Sequence, residues 1–257
     1  MFNIEQFDIK LNTDLIGRNF IYTDEIDSTN VGLLDKENKI NINGTVLLAE
    51  KQTKGRGRKD RVWYSKKDQN LTFSILISGE KYIKKNLNYI NFGTSLAIAM
   101  SIENLYQLKT DLKWPNDVLI NGKKVCGILI ESVSEGSSIK KLVIGIGLNV
   151  NQTAFEGSFA IEPTSIKLES NQNIERERLL AEILNIFEEQ YNRINDEPEK
   201  VLNDWRQRCR MIGERVSIIE GENSKYGIFD DIDENGYLLL RVKDKIERIH
   251  FGDVSLR

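Results

Sequence analysis

Gln52-Thr53-Lys54-Gly55-Arg56-Gly57-Arg58-Lys59-Asp60-Arg61-Val62-Trp63 comes just after an apolar run, Gly44-Thr45-Val46-Leu47-Leu48-Ala49-Glu50. Five basic residues and two glycines crowd this short segment. Glycine lets a backbone turn tightly and brings its N–H groups close to a ligand. Successive N–H groups and guanidinium forks bind phosphate oxygens. The segment therefore reads as a loop after a buried strand, shaped to hold an anion. Taken alone it fits a solvated basic loop or an arginine-rich nucleic-acid contact equally well. No Gly-Lys-Ser/Thr follows, so it is not a Walker loop, and the dinucleotide G-x-G-x-x-G spacing is absent.

The rest of the chain narrows the choice. The chain has 257 residues and a formal net charge of -3, so so much local positive charge has no global cause. That length predicts one large domain, or one domain with a small appendage. The start, Met1-Phe2-Asn3-Ile4-Glu5, lacks a secretory pattern, and no apolar run reaches membrane-spanning length. Cys126 and Cys209 lie far apart without metal-ligand spacing, which predicts a reduced, cytoplasmic setting, and the lack of a spanning run predicts no membrane partner. The single histidine, His250, excludes multi-histidine metal sites and reads as a structural residue. Chemistry here must run on Lys, Arg, Asp and a metal ion of unknown ligands.

Strand-like runs recur at 46–49, 71–77, 118–120, 125–132 and 142–150. Residues 87–108 suit a largely buried helix, 174–193 an amphipathic one, and 199–208 a short helix after Pro198. Strands and helices mix without strict alternation, which predicts an α+β fold with a mixed sheet. From Gly213 short strands follow at 216–219, 225–230, 237–242 and 247–250, with Glu234-Asn235-Gly236 as a hairpin signal. A main domain over 1–211 and a small β domain over 212–257 are expected.

Three further segments add weight. Lys113-Trp114-Pro115-Asn116-Asp117 sets a cation, an aromatic, an amide and a carboxylate around one proline. Lys123 and Lys124 open the apolar run Val125-Cys126-Gly127-Ile128-Leu129-Ile130-Glu131. Gly145-Ile146-Gly147-Leu148-Asn149 leaves room for close backbone approach by a ligand. Together with Asp27-Ser28-Thr29-Asn30, these motifs resemble the catalytic domain of the biotin protein ligases, in order from about Phe20 to Leu168. The β tail is similar to that family's small C-terminal SH3-like domain, and the main sheet would be of the class II synthetase-like type.

The resemblance implies that biotin's carboxylate attacks the α-phosphate of ATP, with Mg2+, to give biotinyl-5′-AMP and pyrophosphate. A lysine of a biotin carboxyl carrier protein then takes the biotin and releases AMP. It implies a biotin site made of Ser28, Thr29, Asn30 and Gln52, with Gly55, Arg56, Gly57 and Arg58 folding over the ligand and Lys124 and Gly127 beneath it. On the ATP side it implies Arg58, Arg61, Trp63, Asn116, Lys124 and Asn149, with residues 152–164 as a covering loop. Arg56, Arg58, Lys124, Asp117 and Lys113 form the catalytic set. For Asp117 the roles of orienting the acceptor lysine, taking its proton, placing Mg2+ or simply pairing with Lys113 stay open. Ser28 or Thr29 could also cap the helix that follows. Cys126 reads as a small packing residue, and Lys66-Lys67 and Lys84-Lys85 as solvated charge.

Two departures from the family pattern stand out. Asp60 stands where glycine is common and would need a backbone conformation tolerable to a non-glycine residue. The Ser-Thr-Asn motif begins at Ser28, which predicts the short type of ligase with no nucleic-acid partner. A monomer or weak homodimer is expected. Competing readings are a lipoate or octanoate enzyme of the same superfamily, or a binding protein that holds the adenylate without turnover.

Overall fold

The computed structural model of the chain describes residues 1–35, 42–79, 83, 87–136, 138–220, 223–250 and 252–256, without the side chains of residues 60, 220 and 223. Lys84-Lys85 and the side chain of Asp60 therefore lie outside the described residues.

Seven strands form the main sheet: β1 (Phe20–Ile26), β2 (Val46–Gln52), β3 (Leu71–Ser78), β4 (Thr110–Lys113), β5 (Asp117–Ile120), β6 (Lys123–Glu135) and β7 (Ser138–Leu148). Their spatial order is β1-β2-β3-β7-β6-β5-β4. Only β1 and β2 run parallel; every other neighbour is antiparallel. The expected mixed sheet is present. Two of its strands were not foreseen, β1 and β4. β1 is a half-exposed edge strand with Asp24 and Glu25 in it, and β4 is four residues long, so neither shows an apolar run.

Side chains alternate across a pleated strand, and the two faces of this sheet differ in chemistry. One face presents Leu48, Phe73, Ile75, Ile128, Ile144, Ile146 and Leu148 to the main core. Over it lie α3 (Leu87–Tyr106), α5 (Arg176–Asp196) and α6 (Pro198–Arg208), with α1 (Ile4–Lys10) against α5. α3 is buried along most of its length, as expected for a central helix, and α5 buries a stripe through Leu179, Leu180, Ile183, Ile186 and Phe187. α6 starts with Pro198 in its first turn, where the missing N–H costs nothing. The five-residue helix α4 (Ile166–Ser170) follows the main sheet, with Ser165 capping it.

The opposite face is small and polar. Its central positions are Thr72, Ser74, Gly127, Gly145 and Gly147, brought side by side by the register of β3, β7 and β6. The short helix α2 (Thr29–Leu34) covers one end through a separate apolar cluster of Leu33, Leu47, Leu76 and Val143.

The C-terminal part is a five-stranded antiparallel sheet of β8 (Arg215–Glu220), β9 (Asn223–Ile232), β10 (Leu238–Val242), β11 (Lys245–Ile249) and β12 (Asp253–Leu256), in the order β11-β10-β9-β8-β12. The expected hairpin turn joins β9 to β10, with Gly236 at a φ of 79°. β12 was not foreseen; it closes the far edge by pairing with β8. His250 is exposed and packs its ring, tilted by 51°, against Tyr237, with ring centroids 4.3 Å apart. The turn also docks on the main domain: Trp114 Nε1 donates to the Gly236 carbonyl at 3.2 Å, and Tyr89 Oη to that of Glu234 at 3.0 Å.

Candidate active site

The basic loop is a small hairpin. Trp63 N donates to the Gly55 carbonyl at 3.1 Å and Gly57 N to that of Arg61 at 2.7 Å. A single 3-10 turn, Arg58–Asp60, forms its tip. Gly55 is needed at the base because a Cβ there would overlap the Trp63 carbonyl. The left-handed residue of the loop is Lys59, at φ 54° and ψ 46°, and Asp60, which stands where glycine is common, is not left-handed. The geometric demand falls one residue earlier.

Under the loop, the glycine face receives side chains instead of presenting them. The Trp63 indole lies on Gly147 and Gly127; a methyl at Gly147 would overlap the ring. The indole Nε1 is buried without a partner among the described residues. Asn30 sits in the same way on Gly145, where a Cβ would collide with its amide. A cleft of about 630 Å3 runs alongside, lined by loop residues from Thr53 to Val62 and by Leu129 and Glu131. That volume is in the range of small-ligand sites.

At one end of the cleft, β1 and β2 bring the start of α2 beside the base of the loop. Thr29 donates to Gln52 Oε1 from its N–H at 2.7 Å and from its hydroxyl at 3.1 Å. Ser74 Oγ stands 2.7 Å from Thr29 Oγ1 and 2.6 Å from Asn30 Oδ1. Asn30 Nδ2 donates to Glu131 Oε2 at 2.8 Å, and Arg56 Nη2 pairs with Glu131 Oε1 at 2.6 Å. Ser28 occupies the N-cap position of α2, yet its side chain makes no capping bond. The expected capping role is thus not used.

At the other end, the hairpin of β4 and β5 sets Lys113 opposite Asp117. Its turn carries a cis Trp114–Pro115 bond. Asp117 pairs with Lys124 at 2.7 Å and more loosely with Lys113 at 3.8 Å, so Lys124 is its main partner. A shift of register between β5 and β6 interrupts the alternation at Lys124. Val125 and Cys126 consequently both face the core, and the Lys124 ammonium comes to 3.1 Å from where a Gly127 Cβ would be. It also stands 5.7 Å from the centre of the Trp63 ring. Burial pulls the Lys113 ammonium below its ordinary range, with Asp117 partly offsetting this. Burial also pushes the Cys126 thiol up, which leaves it inert at neutral pH.

The loop's cations are partnered unequally. Lys54 pairs with Asp27 at 2.8 Å, Arg56 with Glu131, and Lys59 and Arg61 both with Asp253 of β12. Arg58 is different: its Nη1 donates to the neutral amide of Asn116 at 3.1 Å. Among the described residues it has no carboxylate within ion-pair distance, and loss of water pulls its guanidinium down from the usual value. Asn116 is fixed in turn by donating to the Ile128 carbonyl at 2.5 Å.

The loop cations line one cleft together with Leu129 and Glu131, and Asn30 and Arg56 link it through Glu131 to the glycine face. The model of the biotin/lipoate A/B protein ligase family matches residues 22–149, and that of the biotin protein ligase C terminal domain matches residues 211–257. The bifunctional ligase/repressor BirA of Bacillus subtilis strain 168 is 33% identical over 251 residues, covering 96% of this chain and 76% of that protein. The biotin--[acetyl-CoA-carboxylase] ligase of Mycobacterium tuberculosis is 32% identical over 234 residues, 88% of this chain and 85% of that one. The chain belongs to the biotin protein ligase family. Among solved structures, a biotin protein ligase from Aquifex aeolicus in complex with biotin and ATP superposes with a TM-score of 0.81 at 31% identity, over 93% of this chain and 99% of that one.

Of the residues singled out in the sequence, Gly55, Arg56, Gly57, Arg58 and Arg61 line the cleft, while Ser28 lines a separate hollow with Ile26, Asp27 and Val31. Arg61 lines the cleft, but its guanidinium is engaged by Asp253. Asn149 is buried and donates to the Thr164 carbonyl at 2.9 Å, tying β7 to the end of the expected covering loop. That loop is anchored at both ends, by Gln152 accepting from Lys66 N at 3.0 Å and by Thr164 N donating to the Lys124 carbonyl at 2.9 Å. Sequence reasoning missed Ser74, Glu131 and Asp253. Ser74 interrupts an apolar strand and Glu131 closes a quoted motif, so both left a signal. Asp253 left none.

Proposed function

We propose that this chain joins biotin to ATP, forming biotinyl-5′-AMP and pyrophosphate, and passes the biotin to a lysine of a carrier protein. Two anions must meet in the first step, a carboxylate and a triphosphate. The observation that carries the reading is Arg58: desolvated, held by an amide, and standing at the rim of a cleft whose other cations have carboxylate partners. A preorganised cation in a water-poor site stabilises charge that develops on phosphorus, and gives up little to bind it.

The polar corner of Ser28, Thr29 and Gln52 suits the ureido ring, which offers two N–H donors and a carbonyl acceptor. Lys124 reaches the reacting oxygens, and Asp117 acts as its positioning residue, since its closest cation is Lys124. Of the roles weighed for Asp117, pairing with Lys113 is the looser of its two contacts, at 3.8 Å. Mg2+ enters with the nucleotide: it needs only one or two protein carboxylates besides phosphates and waters. Among the described residues no three His, Cys, Asp or Glu side chains gather to hold an ion. In the second step the acceptor amine attacks the acyl carbon of the mixed anhydride, AMP leaves, and the amine's proton passes to solvent or a nearby base.

Pyrophosphate release with Mg2+, ATP and either biotin or lipoate tests this reading. Release with biotin and not lipoate, followed by labelling of a carrier domain, is the expected result. No release with biotin would sink it.

A further inference from the structure

Glu131 sits on the cleft face of β6, between the corner that would take biotin and the loop that would cover it. Its two oxygens have separate duties. Oε2 accepts from Asn30 at 2.8 Å, and Oε1 takes Arg56 at 2.6 Å. Asn30 cannot drift, because it is wedged on Gly145 and its Oδ1 lies 2.6 Å from Ser74 Oγ. The carboxylate is therefore fixed from below and points at the loop before any ligand arrives. Its side chain is 20% exposed against 51% for Arg56, so the shielded partner fixes the exposed one.

The loop hairpin thus has two limbs with different anchors. Its first limb is held through Arg56 to β6, and its second through Lys59 and Arg61 to β12. Arg58, at the tip, is left for an incoming anion. Partially shielded, charge-assisted bonds of this kind are the strong ones. We infer that Glu131 is a positioning residue that anchors Arg56 and so keeps the loop closed over the acyl-adenylate until the acceptor amine arrives. Arg56 on this view is a fastener for the lid, and Arg58 its phosphate-facing cation. The hydrogen-bonded path Thr29–Ser74–Asn30–Glu131–Arg56 also joins the ring end of the cleft to the lid, so that filling one stiffens the other.

The inference rests on the ligase reading, and two measurements separate their fates. The first uses ligand-free protein: trypsin cleavage after Lys54, Arg56 and Arg58 is followed in wild type, Glu131→Ala and the isosteric Glu131→Gln. Cleavage is expected about tenfold faster in the alanine variant and several-fold faster in the glutamine variant, the size expected for losing one charge-assisted bond. The second follows dissociation of preformed biotinyl-AMP. Its rate is expected to rise about tenfold in Glu131→Ala and less in Glu131→Gln, by more than the adenylation rate falls. A merely structural role would lower melting temperature and every kinetic constant together, without that split. Loop cleavage and adenylate release both within twofold of wild type, in a folded Glu131→Gln protein, would overturn the anchor. Wild type that makes no adenylate would sink the ligase reading, while the ligand-free cleavage still decides whether Glu131 holds the loop.

Discussion

At the tip of the basic loop, Arg58 has lost much of its water and faces an amide where its neighbours face carboxylates. Replacing it by alanine is expected to lower kcat/KM for biotin-dependent pyrophosphate release by about 100-fold or more, the usual effect of deleting a preorganised electrostatic group. Lysine at the same position keeps the charge but loses the planar fork, so it should recover only part of the loss. Gly147 is expected to matter through its absent side chain. A methyl there overlaps the Trp63 ring, which belongs to the loop and can be pushed away, whereas the strand cannot. Gly147→Ala should raise KM for biotin about tenfold while shifting the melting temperature little. Tryptophan fluorescence of the ligand-free protein would report the displaced ring. At this scale the sequence named the loop residues that line the cleft, because glycines and cations in a short motif are visible in one dimension. It could not say which cation answers to which carboxylate, since Arg56 and Glu131, or Arg61 and Asp253, are joined only when the chain folds back on itself.

The elements divide in the same way. β3 and β7 were legible as continuous apolar runs, which is how strands buried on both faces read. The edge strand β1 and the closing strand β12 were not, because each is short or half-exposed and gains its stability from a neighbour. The irregularity at Lys124 is the element-level feature on which the site depends. Plain alternation would send Lys124 to the helix face together with Cys126, and only the shifted pairing with β5 turns it to the cleft. The turn that begins β6 gives a clean test of local backbone effects. Gly122 has a φ of 77° and nothing within 4 Å of a Cβ, so steric contact plays no part there. Gly122→Ala is expected to cost about 1 kcal/mol through the left-handed conformation alone. Urea denaturation should show a lower midpoint with an unchanged slope.

The whole molecule joins its two sheets at the site. The C-terminal sheet grips the second limb of the loop through Asp253, and its β9–β10 turn supports Trp114 beside Asn116 and Asp117. Asp253→Ala should therefore raise KM for ATP several-fold and speed trypsin cleavage after Lys59 and Arg61, although it lies outside the catalytic sheet. The same residue carries a pH signature. Burial opposes its charge, but Arg61 and Lys59 outweigh this and hold its carboxyl below the usual carboxylate range. Its folded value lies below its unfolded one, so its stabilisation is complete above about pH 4 and is lost as pH falls through the folded value. Wild type should lose stability over that window more steeply than Asp253→Asn, as read from urea midpoints between pH 7 and pH 3.

By itself the sequence determined the chemical inventory of this protein: a basic glycine loop, a lysine at the head of β6, a glycine-bearing strand and a β-rich tail, all encoded in residue types and short spacings. Only the tertiary structure decided which of the loop's charges meet a carboxylate and which one meets an amide. The reason is physical. Residue type sets what a side chain can bind, but desolvation and pairing depend on what is packed within a few ångströms of it, and those neighbours come from strands far apart along the chain.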